Sequence, residues 1–109
     1  MAGMDEYLCL TLLAHPGETE PAFKLRLVEF WTHMLRTRPD DYEGVYAEAK
    51  AFDDEGGRTC RRYMVEAGAI DAVTAELRAK GVEFAAVDTD DTYSKAEASS
   101  SEWFQIPHD

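Results

Sequence analysis

The segment at residues 6–14, EYLCLTLLA, constrains the fold of this chain more than any other feature. In an extended strand, alternate side chains point to opposite faces. Both rows are largely apolar here: Leu8, Leu10 and Leu12 on one face, and Tyr7, Cys9, Thr11 and Leu13 on the other. A strand with two apolar faces is typical of the centre of a sheet that is covered on both sides. We therefore predict a central strand here, ended by His15-Pro16-Gly17.

The next segment predicts a long helix. Thr19 is suited to the N-cap, Glu20 to the positive end of the helix, and Pro39 ends it. Apolar side chains recur at helical spacing: Phe23, Leu27, Phe30, Trp31 and Met34, with Leu25, Val28 and Leu35 beside them. Such a wide stripe requires more than one packing neighbour.

Residues 40–53 fit two patterns. As a helix they place Tyr42, Val45, Tyr46, Ala49 and Phe52 in one stripe, and as a strand they alternate through Val45, Ala47, Ala49 and Ala51. The following DEGG at 54–57 is a turn signal, and TCRRYMVE at 59–66 is a second strand pattern. We favour a β-hairpin, because two strand patterns flank the turn, and keep the helix as the alternative.

The rest of the chain predicts a helix over 69–80, with Gly81 at the C′ position just beyond its end, and then a strand over 82–87. Residues 88–101 are polar and indicate a loop or a short helix. The chain then carries an apolar cluster of Trp103, Phe104 and Ile106. We expect this cluster to dock on this subunit or on another one, because apolar clusters rarely remain in water.

The predicted order is β-α-β-β-α-β followed by a C-terminal extension. This order is that of an α+β, ferredoxin-like split βαβ fold, with an antiparallel sheet and two helices on one face. We expect one domain over 1–109, with a core at about 5–88 and an acidic extension at 89–109. The strands at 6–14 and 59–66 are expected to be central neighbours. The helix-free face needs a cover, which we assign to a second subunit in a homodimer, with the C-terminal cluster as the alternative. Taking 40–53 as a helix leaves three strands and three helices.

The net charge of the chain limits the kinds of molecule that it is expected to bind. The chain has 22 Asp and Glu against 11 Lys and Arg, a formal net charge of −11. Binding to nucleic acid or to an anionic membrane surface relies on Lys and Arg, so neither is expected. An acidic surface instead suits a basic protein partner. The chain begins without a basic segment before its apolar run and has only two cysteines, from which we expect a cytoplasmic protein.

Three residues are candidates for a site. His15 follows the first strand, where a histidine can act as a general base near neutral pH. Arg61 and Tyr63 lie on one face of a strand, where an arginine on the open side of the sheet would anchor a small anionic ligand. The simpler interpretation is that an arginine of this strand pairs with Glu48 or Asp53 across the hairpin. The cysteines and histidines lack the spacing of a zinc site, and no cofactor is expected.

One short motif resembles a known family. Residues 82–92, VEFAAVDTDDT, resemble the first motif of haloacid dehalogenase-like phosphotransferases, whose two aspartates would correspond to Asp88 and Asp90. The resemblance covers about a dozen residues, and the remaining ligands of such a site are not found after it. We therefore interpret the motif as an acidic loop.

Three hypotheses follow, in this order. The first is a small, acidic, non-catalytic ligand-binding or regulatory module that works as a homodimer. The second is an acidic adaptor or inhibitor of a basic protein. The third is a small enzyme that uses His15 as general base.

Overall fold

The computed structural model of the chain describes residues 6–39, 45–48, 52–53, 56–98 and 103–105, and the fold is given for these. The strands are β1 (Tyr7–Leu13), β2 (Tyr46–Glu48), β3 (Phe52–Asp53), β4 (Thr59–Glu66), β5 (Glu83–Phe84), β6 (Thr92–Tyr93) and β7 (Trp103–Gln105). The helices are α1 (Glu20–Thr37), α2 (Ile70–Ala79) and α3 (Lys95–Ala98), with a 3-10 turn at Ala67–Ala69. The sheet is antiparallel and runs in the order β5-β1-β4-β2-β7, while β3 pairs with β4 and β6 with β1.

The centre of the sheet is the pair β1 and β4, as the sequence predicts. Their register runs from Tyr7 opposite Glu66 to Leu13 opposite Cys60. Residues directly opposite each other in an antiparallel pair point to the same face. Leu8, Leu10 and Leu12 therefore share a face with Val65, Tyr63 and Arg61, respectively.

Both long helices pack on that face. The main core unites the three leucines of β1 with the apolar stripes of α1 and α2. Its fully buried members include Leu10, Leu12, Phe23, Leu27, Val73 and Leu77. Packing of this kind is the main favourable contribution to folding. The α+β class with an antiparallel sheet and helices is thus confirmed.

The opposite face carries a second cluster built from Tyr7, Met64 and Ala98. Cys9, Tyr46, Tyr93 and Trp103 pack against it. Because Ala98 and Trp103 come from the end of the chain, the C-terminal segment itself covers this part of the sheet. The alternative cover that the sequence suggested is the one observed here. Ile106 lies outside the described residues.

The segment at 40–53 contributes strands where it is described. Tyr46 and Ala47 pair with Met64 and Tyr63, and Phe52 pairs with Cys60. The strand interpretation is therefore correct for 46–48 and 52–53, while residues 40–44 and 49–51 lie outside the description.

The expected strand at 82–87 is shorter than predicted. Only Glu83 and Phe84 pair with β1, and one further bond runs from the Ala85 amide to the Thr11 carbonyl. The chain then leaves the edge of the sheet at Asp88, whose carboxylate accepts a hydrogen bond from the Asp90 amide. This local bond competes with the ladder and favours a turn. Pairing with β1 resumes in β6, so the sheet differs from the expected four-strand plan.

The ends of α1 and α2 follow their sequence signals. The Thr19 hydroxyl accepts a hydrogen bond from the Ala22 amide at 3.3 Å, and Pro21 lies in the first turn. Gly81 has φ +73°, a conformation that favours glycine after a helix. None of the helices in the described part of the chain is long and apolar enough to cross a membrane.

Candidate functional site

The structure brings Arg61 and Tyr63 together, but on the helix-covered side of the sheet. Tyr63 is only 1% exposed, and its ring centroid lies 5.0 Å from that of Trp31. The Arg61 guanidinium lies 5.7 Å from the Tyr63 ring centroid, and its Nε donates to the Glu48 carbonyl oxygen at 3.1 Å. The expected anchor on the open face is therefore not formed by Arg61, because the register places it opposite Leu12.

The arginine on the other face is Arg62, which pairs across the strands. Its Nε and Nη2 donate to the two carboxylate oxygens of Glu48, the second at 2.9 Å. This pairing raises the pKa of Arg62. The arginine that pairs with Glu48 across the hairpin, as the simpler interpretation of this strand expected, is therefore Arg62. Cys9 lies half-buried on the same face, and burial raises the pKa of its thiol while Arg62 opposes that rise.

His15 lies at the end of β1 in a network of charged groups. Its amide donates to Glu18 Oε1 at 3.0 Å, and its Nδ1 lies 3.9 Å from Glu83 Oε1. The Glu18 carboxylate also accepts two hydrogen bonds from Arg26. These bonds, with the Arg26 contribution the largest, lower the pKa of Glu18 to about 2. The backbone of His15 is thereby held in place, while about half of its side chain is exposed.

Arg58 completes this network, and sequence analysis did not identify it as a site residue. Its Nε donates to the Ala14 carbonyl oxygen at 2.9 Å, and its Nη2 contacts both that oxygen and the Glu83 carboxylate. The hydrogen bond from Arg58 lowers the pKa of Glu83. The structure therefore groups His15 with Arg58 and Glu83 rather than with Arg61 and Tyr63. The signal in the sequence was a short basic stretch at the start of β4, formed by Arg58 with Arg61 and Arg62.

A cleft lies between α1 and the connection from α2 to β5. Its volume is about 240 Å³, and we name it the Val82 cleft. Phe30 and Val82, 7% and 5% exposed, are its apolar floor. The polar lining residues are Arg26, Glu29, His33 and Lys80.

A wider groove of about 630 Å³ lies on the other side of Val82. It is lined by Leu13, Arg78, Gly81, Val82, Glu83, Phe84 and Ala86. The Arg78 guanidinium lies 5.2 Å from the centroid of the Phe84 ring, in cation–π geometry. The groove also contains Glu83, so the His15 network and the groove share a residue.

Lys80 differs from the other basic groups around the Val82 cleft. Arg26 is bound to Glu18, whereas the Lys80 ammonium forms no ion pair or hydrogen bond with the described residues. In a chain with 22 acidic and 11 basic residues, most bases can find an acidic partner. Sequence analysis missed Lys80 because a lysine at the end of a helix is already explained by the helix dipole.

The acidic surface is only partly described. Asp88, Asp90 and Asp91 are all exposed in the turn between β5 and β6. Residues 39–57 are also rich in Asp and Glu, and most of them lie outside the described residues. Within the described ranges, no group of three or more His, Cys, Asp or Glu side chains is arranged to hold a metal ion. Cys9 and Cys60 are free thiols.

Comparison of the chain with models of protein families, with curated proteins and with solved structures found no match.

Proposed function

We propose that this protein is a non-catalytic module that binds a small organic anion in the Val82 cleft. The observation that carries the proposal is the Lys80 ammonium, which has no counterion among the described residues, at the rim of an apolar floor. Ligand sites typically combine an apolar lining with a few polar groups that orient the ligand.

The lining indicates the chemistry of the ligand. Phe30 and Val82 suit a flat or branched apolar body. Lys80 and His33 suit a carboxylate that lies on their side of the cleft, away from the acidic side chain of Glu29. A net charge of −11 repels anions at long range, so an anion binds only where local cations offset that field. The volume of about 240 Å³ lies below the roughly 300–1,000 Å³ that is usual for ligand sites, which limits the ligand to a small molecule such as a single-ring carboxylate.

Benzoate titration tests the proposal. Benzoate is added to the wild type and to Lys80→Gln at constant ionic strength, and amide chemical shifts are followed by NMR. We expect saturable shifts around Val82 and at least about fivefold weaker binding by the variant, because a charged hydrogen bond is lost.

Two controls separate charge from shape. Lys24→Gln removes a lysine of α1 that is paired with Glu20 outside the cleft, and this variant should bind benzoate as the wild type does. Benzyl alcohol, which keeps the ring and lacks the charge, should bind more weakly than benzoate. Equal benzoate affinity in wild type and Lys80→Gln contradicts the proposal.

A small enzyme with His15 as general base is the second candidate. What favours it is the Glu83 carboxylate near His15 Nδ1, since a carboxylate at one ring nitrogen orients the imidazole. Hydrolysis of 4-nitrophenyl acetate by His15→Gln is compared with that by His33→Gln, a histidine on α1. A rate lost only in His15→Gln supports this candidate, and equal rates reject it.

We also propose a ferredoxin-like core and a homodimer as finer features of this cytoplasmic module. The neighbouring positions of β5, β1, β4 and β2 support the first. Leu25 and Val28 on α1, 61% and 56% exposed, support the second, because large exposed apolar side chains often mark contact surfaces. Native mass spectrometry of the wild type and of the Leu25→Ser, Val28→Ser double variant tests the dimer. A monomeric wild type contradicts it.

A further inference from the structure

The Tyr63 hydroxyl is a buried polar group that forms no hydrogen bond with the described residues. It lies between β4 and α1, within the main core. Buried hydroxyls normally have a partner, because leaving one without a partner costs its full desolvation free energy. The hydroxyl is therefore open to a partner that the described residues do not supply.

Two described polar side chains, those of Trp31 and Arg61, act on this hydroxyl, and both are donors. Trp31 and Arg61 both approach the phenolic oxygen closely enough to oppose the rise in the pKa of Tyr63 that burial causes. An indole and a guanidinium have N–H groups and no acceptor. The proton of the Tyr63 hydroxyl thus still needs an acceptor, and neither neighbour can provide it.

The Arg61 guanidinium has more N–H donors than its hydrogen bond to Glu48 uses. Its Nε donates to the Glu48 carbonyl oxygen at 3.1 Å, and a guanidinium carries four further N–H groups on its two Nη atoms. Arg61 is only partly buried, so part of this residue reaches the surface. Several donors and a positive charge therefore surround one position.

We infer that a small oxyanion binds at this position, with one oxygen accepting from the Tyr63 hydroxyl and from Arg61. A water molecule fits less well, because it carries two protons that need acceptors of their own. A carboxylate oxygen only accepts, which matches a site made of donors. This oxyanion site involves none of the residues that line the Val82 cleft.

Formate titration of the wild type and of Tyr63→Phe tests the inference. Sodium formate replaces sodium chloride at constant ionic strength, and the Tm and the amide shifts of β4 are recorded. We expect a saturable rise in Tm for the wild type, and an apparent formate affinity about tenfold weaker in Tyr63→Phe. Without formate, Tyr63→Phe should be at least as stable as the wild type, because it lacks a hydroxyl without a partner.

Three further variants complete the design. Tyr46→Phe removes a hydroxyl from the other face of the sheet and should respond to formate as the wild type does. Lys24→Gln, which removes a lysine that is paired with Glu20 outside both sites, should do the same. The titration is repeated in Lys80→Gln, where formate binding to the Val82 cleft is weakened and the response of the Tyr63 site should remain. The inference is wrong if the wild type shows no saturable response to formate, or if Tyr63→Phe responds like the wild type. A loss of stability by Tyr63→Phe in formate-free buffer also contradicts it, since the hydroxyl would then already have an acceptor.

Discussion

Arg26 holds the carboxylate of Glu18 through two hydrogen bonds, from Nε to Oε2 at 3.0 Å and from Nη2 to Oε1 at 2.8 Å. The same carboxylate accepts a hydrogen bond from the His15 amide. Because Arg26 belongs to α1, these bonds attach the turn between β1 and α1 to the helix. Paired hydrogen bonds between arginine and a carboxylate are among the stronger polar contacts in proteins. This relationship makes the stability of the fold depend on pH.

We predict that Glu18→Gln is less stable than the wild type at pH 7 by about 1–2 kcal/mol. The pKa of Glu18 is about 2 in the folded state and about 4.3 in an unfolded chain. A lowered pKa stabilises the fold above the unfolded value, and this contribution is lost as the pH falls from about 5 towards 2. Urea denaturation between pH 7 and pH 2 should show the difference between wild type and variant shrinking as the pH falls. Glu20→Gln, which breaks an exposed pair with Lys24, should change stability little at any pH.

We predict that Arg58→Lys destabilises the fold by about 1 kcal/mol or more. A lysine cannot reproduce the fork that joins the Ala14 carbonyl oxygen to Glu83. Ala14 is fully buried, so losing this donor leaves its carbonyl oxygen with fewer partners. Arg38→Lys is the control, because Arg38 pairs with Glu76 at the surface and should cost much less. Equal losses in thermal denaturation would show that Arg58 acts only as a surface charge.

We predict that Leu12→Ala lowers the free energy of unfolding by about 2–5 kcal/mol. Leu12 is fully buried between β1 and the helices, so its removal leaves a cavity in the main core. Lys24→Ala, which removes a partly exposed side chain of α1 paired with Glu20, should change stability by less than about 0.5 kcal/mol. Chemical denaturation of both variants measures the difference. A similar effect in both would contradict the placement of β1 under the helices.

We predict that Trp103→Ala increases the rate at which iodoacetamide alkylates Cys9. Burial raises the pKa of this thiol, so the reactive thiolate is scarce while the cluster around Tyr7, Met64 and Ala98 is intact. Removing the indole opens that cluster. Phe84→Ala, which removes an aromatic ring from the edge strand β5, should leave the Cys9 rate unchanged. Peptide mass spectrometry distinguishes Cys9 from the buried Cys60, and an unchanged rate in Trp103→Ala means that the C-terminal segment does not protect this face.

Local patterns predicted much of the fold. The alternation in residues 6–14 identified the central strand, and the strand pattern at 59–66 matched β4. Thr19 and Pro39 indicated where α1 begins and ends. Each of these depends on residues close together in the chain, through alternation, capping and turn chemistry. The break in the edge strand after Ala85 was not predicted, because VEFAAV has a continuous strand pattern and only the competing turn at Asp88 interrupts its pairing.

The candidate sites depended on contacts between distant residues. By itself, the sequence determined a central apolar strand, two helices, an acidic surface and His15, Arg61 and Tyr63 as residues of interest. Only the tertiary structure decided that Tyr63 packs against Trp31 on the helix-covered face, with Arg61 beside it. It also decided that Arg58 and Glu83 meet beside His15, and that Lys80 and Phe30 line one cleft. The physical reason is that strand register and helix packing select which faces meet. A shift of one residue in the pairing of β1 and β4 would move Arg61 and Tyr63 to the other side of the sheet, away from Trp31.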